Sequence, residues 1–481
     1  MLFEAVPHSR SETGTIFAMF PNGTKALEGV KPGLSDTLIG CGSTTTRTRS
    51  VIRRNPTINN SESATTSTSG LNSIGSATSD ADSNGNGENR GDWIVRTLAR
   101  NQTIVGWGRA QEVLASSLTR PEIIMHGHRV VAYRPVVAGG GVEGSQGGSG
   151  AREGEVEAVD VVLEVVGSNP EIDKNNSTCA VSEGANIAGK AGAAQRDLVV
   201  VRAKVLVAAD GVRSAVRNQM IGDAPRYLEQ VGWNALVSNP PGARVYPQED
   251  GELLYFLDEV TGYQMFLIDI GHGKTFWQVR LADPDSKLKE ELQQTPFGGF
   301  GKPGVKDRLM CHVSKNASDP SGHDTWQTVL QAVTTTDPCN IYERWMLDRA
   351  PLRDSWSDPK CGNRVVLMGD AAHAMHTGPG QGAQTAFEDA HQLSLCLAEF
   401  KDVLSEPAAV AAAVREYEAR RIDRCVRIHG YATGSHGFGE EGRLVKGLSL
   451  PEKMTRMMEF QTWVHAYPDK IKGDPDSTCF S

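Results

Sequence analysis

The chain has 481 residues, with 49 Lys and Arg against 58 Asp and Glu, a net charge of −9 when histidine is neutral. That length holds two or three domains, and a 39 % apolar share beside 51 glycines supports a sizeable core. The acidic balance excludes a protein that works by coating phosphate backbones or anionic membranes, which needs clustered surplus Lys and Arg, so nucleic acid is not an expected partner.

Residues 56–91 are almost wholly Ser, Thr, Asn, Gly and acid, too poor in apolar groups to offset the entropy of ordering them, and read as a disordered insert. In Gly108–Leu118 the positions Ala110, Val113, Leu114 and Leu118 share one helical face. Residues 138–154 and 167–195 read as two further disordered inserts. Ala158–Val166 and Leu198–Ala209 are Val-rich strands, the second ending in Asp210-Gly211. From Tyr246 to Val279, runs such as ELLYFLD, YQMFLID and KTFWQVR alternate with turn residues and predict an antiparallel sheet. Arg364–Met368 is a buried-strand run that leads through glycines into a helix from about Gly382 to Leu397. The Met-rich EKMTRMMEF near the end reads as packing surface.

Eight scattered cysteines form no Cys-x-x-Cys pair, so neither a zinc site nor a disulfide scaffold is indicated. Apolar runs such as Val205–Ala209 fall well short of the roughly 18 to 20 residues that span a bilayer. The opening MLFEAVPHSR has no basic-then-apolar signal pattern, and a soluble, cytoplasmic location is the default expectation.

The richest chemistry lies in GDAAHAMHTGPGQGAQTAFEDA, residues 369–390. A strand delivers Asp370 to its carboxyl end, where ligands of α/β sheets bind. Gly378, Gly380 and Gly382 let backbone approach a flat ligand, and the helix start offers N–H groups to an oxygen. Asp370 suits a hydroxyl-bearing chain such as ribityl; alternatively the loop only turns a corner with Asp370 as a cap. KVLVAADGVRSAVR repeats the theme, with Asp210 and Gly211 at a strand end and Ser214 and Arg217 three apart, near a phosphate or in a local ion pair.

Together the two segments, in this order and about 160 residues apart, resemble the single-component FAD-dependent monooxygenases, the aromatic hydroxylases and epoxidases. The resemblance implies that Asp210, Gly211, Ser214 and Arg217 serve both FAD and the pyridine nucleotide. It also implies that Gly369 and Asp370, followed by Pro379, Gly380, Gln381 and Gly382, hold the ribityl chain and flavin ring. The opening is similar to the family's second strand, with Glu4 as the acid that binds the adenosine ribose. Arg109 resembles an arginine that starts a helix beside FAD, or is a solvated helix-start residue. IYERWMLDRAPLRDSW, EDAHQLSLCL and RRIDRCVRIHG look closest to the zeaxanthin epoxidase-like branch.

One part of the pattern is missing. A G-x-G-x-x-G turn should precede the ribose acid by about 20 residues, and three residues precede Glu4. The expectation is therefore an N-terminally incomplete chain, without the first strand and its glycine turn and with any organelle address lost. Gly139–Gly144 fits the pattern inside a low-complexity insert, and Gly378–Ala383 fits its looser form far from a strand; neither replaces it.

The implied fold class is α/β: an FAD/NAD(P)-binding Rossmann-like domain (1–55, 92–224 and 351–430) with a mainly antiparallel β-sheet substrate domain (225–350) and a C-terminal tail (431–481). The implied chemistry is reduction of FAD by NAD(P)H, reaction with O2 to a flavin C4a-hydroperoxide, and oxygen transfer to a small hydrophobic organic substrate without a side-chain nucleophile. The alternatives are an FAD-binding reductase without oxygen insertion, and a non-catalytic remnant without FAD. His373 and His376 lack a convincing third ligand in the sequence, so no metal is expected. Glu388-Asp389 reads as a solvated helix face. Trp233, Tyr255, Phe256, Phe266 and Trp277 are core or pocket lining.

Overall fold

A computed structural model describes residues 1–5, 15–53, 89–90, 93–137, 155–166, 197–239, 250–293, 299–318, 323–403, 406–434 and 450–468. Inserts 138–154 and 167–195 lie outside the described residues, as does 56–91 except for Asn89–Arg90. The strands of the first half are β1 (Leu2–Glu4), β2 (Ile16–Ala18), β3 (Ser43–Arg53), β4 (Asn89–Arg90), β5 (Trp93–Gly106), β6 (Ile124–His126), β7 (His128–Val137), β8 (Val156–Val165), β9 (Leu198–Ala203) and β10 (Leu206–Ala208). Those of the second are β11 (Arg226–Ser238), β12 (Glu252–Asp258), β13 (Tyr263–Asp269), β14 (Lys274–Ala282), β15 (Gly299–Phe300), β16 (Tyr342–Asp348) and β17 (Val365–Leu367).

A mixed α/β architecture results. The largest sheet runs β15-β16-β11-β14-β13-β12-β3-β5-β2, with β4 also on β5. Its pairings are antiparallel except β12 on β3. Alternation along these strands divides the aromatic residues between two faces. Trp233, Phe256 and Trp277 turn to one face and pack with Trp326, Val305 and Leu309 beneath the helices Val305–Ala317 and Thr325–Thr335. Tyr255 and Phe266 turn to the other, beside Ile52, Leu253 and Phe276. Two of the buried indole N–H groups on this face find acceptors, Trp233 on Glu343 at 2.8 Å and Trp277 on Thr336 at 2.9 Å.

Two differences from the sequence reading have clear causes. β2, β3 and β5, from stretches read as nucleotide-binding, join the large sheet, because their β-branched runs find ladder partners on β12 and on one another. The run Leu198–Ala209 is not one strand: it breaks at Lys204-Val205, β9 joining β7 and β8 while β10 pairs with β17. Among the described residues the parallel pairing consists of β1 with β6 and β10 with β17, besides β12 with β3. The single Rossmann-like sheet expected from the sequence is thus represented by two separate parallel pairs.

The described C-terminal residues pack on the rest of the protein. Helix Pro407–Gly434 runs past 430, and helix Leu450–His465 buries Phe460, Trp463 and Val464 against Met375 and Ile428. Tyr467 is fully buried and binds His391 and Gln392.

Glu343, fully buried on β16, accepts from Trp233 and from Arg308 at 2.7 Å and lies 3.6 Å from Lys302. Replacing it with Ala strands these donors in the core, so Glu343→Ala is expected to lower stability by about 3–5 kcal/mol, read as a reduced urea midpoint with unchanged slope.

Candidate functional site

The site is built where β10 and β17 end together. Their parallel register pairs Leu206 with Val365 and Ala208 with Leu367, and Met368 donates to Ala208. The segments Asp210-Gly211 and Gly369-Asp370 therefore leave at one edge. Gly369 has φ +58° and ψ −143°, a region closed to residues with a Cβ. Its N–H donates to Asp389 Oδ2 at 2.8 Å. Asp370 then opens a short helix, Asp370–His373. Its carboxyl is open to solvent, yet sits so deep among protein atoms that desolvation pushes its pKa up, against the charges of His373 and Arg344. It therefore occupies a recessed place on the surface.

The loop after that helix doubles back at Gly380, φ +69°, where an added Cβ would meet Phe20 Cε2 at 2.9 Å. Pro379 is buried. Gly382 faces open space and begins the Gly382–Glu399 helix, whose first turn has no side-chain cap, leaving N–H groups for a ligand. Gln381 points inward, its Oε1 accepting from Asn22 Nδ2 at 2.9 Å.

At the other corner, Asp210 is exposed and its Oδ2 accepts from Ala215 N at 2.8 Å and Val216 N at 3.4 Å, holding the start of the Ala215–Met220 helix. Ser214 caps the same helix through Arg217 N. Arg217 is fully buried and takes the local ion pair, with Asp223 at 2.7 Å, and it donates to Ala371 O and Ala372 O at 2.9 Å each. One guanidinium thereby ties the two aspartate-glycine corners together. Glu4 ends β1 in the separate β1–β6 pair. Arg109 is an exposed residue of helix Trp107–Ser116, bonded to Glu112 at 2.7 Å; its solvated alternative describes where its side chain is.

Glu388 and Asp389 correct the sequence reading of a solvated face: both are fully buried. Glu388 binds Arg421 at 2.5 Å, Arg424 at 2.6 Å and Asn22 at 2.8 Å. Asp389 binds Arg421 at 2.8 Å and His373 at 2.6 Å besides the Gly369 N–H. The reading failed because the partners lie on the Pro407–Gly434 helix and in residue 22, far away in the chain. His373 does have Asp389 and Cys425 close by, all three buried. Arg421, however, donates to both of them, so the cluster is a hydrogen-bonded ion network and not a cation cage. Burial works against both carboxylates, but Arg421 and Arg424 hold Glu388 below its ordinary range, and His373 and Arg421 do so for Asp389. Burial likewise opposes a charged His373, which Cys425 and Asp389 nevertheless raise well above its usual value.

A third glycine pattern escaped the sequence reading. Gly299–Gly304 is a G-x-G-x-x-G that opens into helix Val305–Ala317, but it leaves an antiparallel edge strand and Lys302 turns into Glu343. Among the described residues no such pattern joins a parallel strand to a helix. The residues present fit the flavin and ribityl end of a dinucleotide: a recessed carboxylate, glycine backbone and an uncapped helix start. They do not supply a glycine turn for its diphosphate.

Comparison with known proteins settles the lineage. The family profile described as "FAD binding domain" matches residues 182–428. The chain belongs to this family of FAD-dependent monooxygenases. It is 29 % identical over 259 residues to aurachin C monooxygenase/isomerase of Stigmatella aurantiaca, covering 53 % of this chain and 56 % of that protein. It is 29 % identical to the chloroplastic zeaxanthin epoxidase of Nicotiana plumbaginifolia, over 47 % of this chain and 30 % of that one. The match to 3-amino-4-hydroxybenzoate 2-monooxygenase of Streptomyces cremeus is 27 %, over 56 % and 58 %. The chain thus spans between 30 % and 58 % of the length of these relatives. The same fold is seen in 2,6-dihydroxypyridine-3-hydroxylase from Arthrobacter nicotinovorans, TM-score 0.55 at 14 % identity over 100 % of this chain and 89 % of that one. It recurs in Klebsiella pneumoniae HpxO complexed with FAD and uric acid, TM-score 0.53 at 18 % identity over 96 % and 90 %.

The ion network gives a signed pH dependence. Glu388, depressed below its ordinary 4.5, contributes stability that is present above that value and is lost as pH falls through the folded pKa. His373, raised above 6.5, contributes stability present below 6.5 and lost as pH rises through its raised pKa. Glu388→Gln is expected to cost about 3–5 kcal/mol at neutral pH and to flatten the acid limb, as measured by urea unfolding across pH.

Proposed function

We propose that the chain binds FAD at the two aspartate-glycine corners and is an NAD(P)H- and O2-dependent monooxygenase of a small organic substrate. The observation that carries this reading is the meeting of Asp210-Gly211 and Gly369-Asp370 at one strand edge, locked by Arg217. Asp370 is assigned to the ribityl hydroxyls, and the backbone of Pro379, Gly380, Gln381 and Gly382 with the uncapped helix start to the oxygen edge of the ring. Asp210 and Gly211 flank the phosphate side, and Glu4 takes the adenosine ribose. Arg109 is assigned on the sequence resemblance alone, its side chain being held by Glu112.

Bound FAD, reduced by NAD(P)H and reoxidised by O2, supplies the oxygen-transfer chemistry. The protein's part is placement. Gln381, Asn22 and Glu388 hold the loop from behind, and Asp389 fixes Gly369 from below. The polar-aromatic face of the large sheet meets the loop through Thr377 and His376, and in this reading the organic substrate lies between that face and the ring, away from water.

Flavin released by heating the purified protein, substrate-dependent NAD(P)H consumption and a product heavier by one oxygen test this reading. Consumption without the mass change favours the reductase, and neither activity nor flavin favours the remnant. Asp370→Ala is expected to weaken FAD binding about tenfold or more. Gly380→Val, strained at φ +69° and pressed on Phe20, is expected to yield folded protein depleted of flavin; full occupancy in both variants contradicts the assignment.

A further inference from the structure

The face of the large sheet that meets the glycine loop carries two arginines where an apolar lining was expected. Arg280 on β14 and Arg344 on β16 are both in register with Gly232 on the strand between them, so all three project from the same face. Two strand spacings put the arginine backbones roughly 10 Å apart, with a residue lacking a side chain as the floor. Close packing does not demand that glycine: a Cβ at Gly232 would find nothing nearer than Met346 Sδ at 3.4 Å. The row thus lacks one side chain between two cations, with Met346 Sδ and Arg280 Cγ beside the gap.

Neither cation has a carboxylate hydrogen-bond partner among the described residues. Arg280 is 6 % exposed and donates to Gln278 at 2.9 Å and to Thr377 of the glycine loop at 2.7 Å, with its guanidinium 5.5 Å from the Phe266 ring. Arg344 lies 5.6 Å from the Tyr342 ring. The acid that acts on it is Asp370, which the proposed function gives to the ribityl chain. Desolvation, reinforced by Arg344, pushes the Arg280 pKa down to about 10. A buried guanidinium without a hydrogen-bonded carboxylate is costly; Arg280 is one, and the half-buried Arg344 shares its row beside aromatic walls, next to the loop proposed for the flavin ring.

We propose that Arg280 and Arg344 form an anion clamp, so that the substrate is an organic acid, a ring or chain carrying a carboxylate or an equally acidic oxygen, held by that group with its apolar part between Phe266 and Tyr342. This rests on the monooxygenase reading and sharpens its hydrophobic substrate into an amphipathic one. The glycine floor admits the anionic head, and the bond from Arg280 to Thr377 couples the clamp to the loop.

Calorimetric titration with benzoate and with its uncharged isostere benzamide at pH 7 tests the clamp on protein whose flavin content has first been measured. Expected is tighter binding of benzoate by about tenfold or more, abolished in Arg280→Met and in Arg344→Met and partly kept in Arg280→Lys. Gly232→Val, which fills the floor and leaves both cations, is expected to weaken benzoate binding as well. Absent benzoate binding, equal affinity for the two probes, or a preference that survives both Met variants overturns the proposal. So does a result in which the Met variants alter FAD affinity or the flavin midpoint potential but not benzoate binding, since the anion served would then be the cofactor itself. Because calorimetry does not need the flavin, protein found free of FAD counts against the monooxygenase reading alone, and the clamp is still judged by the benzoate preference.

Discussion

The arrangement depends on one buried ion network. Glu388 and Asp389, adjacent on one helix, face Arg421 and Arg424 on another, with His373 and Asn22 completing the set. Isolated, any of these charges would be expelled from the interior; together they bind four separate parts of the chain. Residue 22 comes from the N-terminal region, Gly369 and His373 from the corner after β17, residues 388 and 389 from the helix behind the glycine loop, and 421 and 424 from the C-terminal helix. Arg424 also donates to Val464 O, which brings in the last helix. The loop's shape is therefore set from behind by charge pairing, and its front is left to backbone and Asp370.

This division explains why one segment can be both rigid and receptive. The residues with side chains turned inward, Gln381, Gln384, Glu388 and Asp389, are buried and bonded, while the outward surface is made by glycine N–H groups and one recessed carboxylate. Arg217 extends the lock to the second corner: fully buried, it pairs with Asp223 and donates to two carbonyls of the other corner. The large sheet offers a face whose polar groups touch the same loop, and its opposite face is sealed by two helices and four buried tryptophans.

Much of this was legible in the sequence, and the limits have physical causes. The two strand-aspartate-glycine corners, the Gly382–Glu399 helix and the antiparallel run in the second half follow from local period and turn chemistry. The assignment of Glu388 and Asp389 to solvent did not hold because helical period reports which positions are apolar, and a carboxylate matched by arginines thirty residues on is invisible to it. The break at Lys204-Val205 and the joining of β3 and β5 to the large sheet depend on partners chosen in three dimensions. Ser214 and Arg217 kept two readings open, and the fold took the local one because a fully buried guanidinium needs Asp223 and carbonyl acceptors. The arginine row on β14 and β16 emerged only from strand register, since residues 280 and 344 are unremarkable alone.

The central claim is that a flavin dinucleotide rests on the corners at 210–211 and 369–382. Hydrogen–deuterium exchange of the purified chain with and without added FAD tests it most directly. The account predicts slowed exchange concentrated in residues 209–216 and 369–383, with the large sheet's helix-covered face unchanged. Unaltered exchange in both segments at saturating FAD, or protection confined to other parts of the chain, would contradict it.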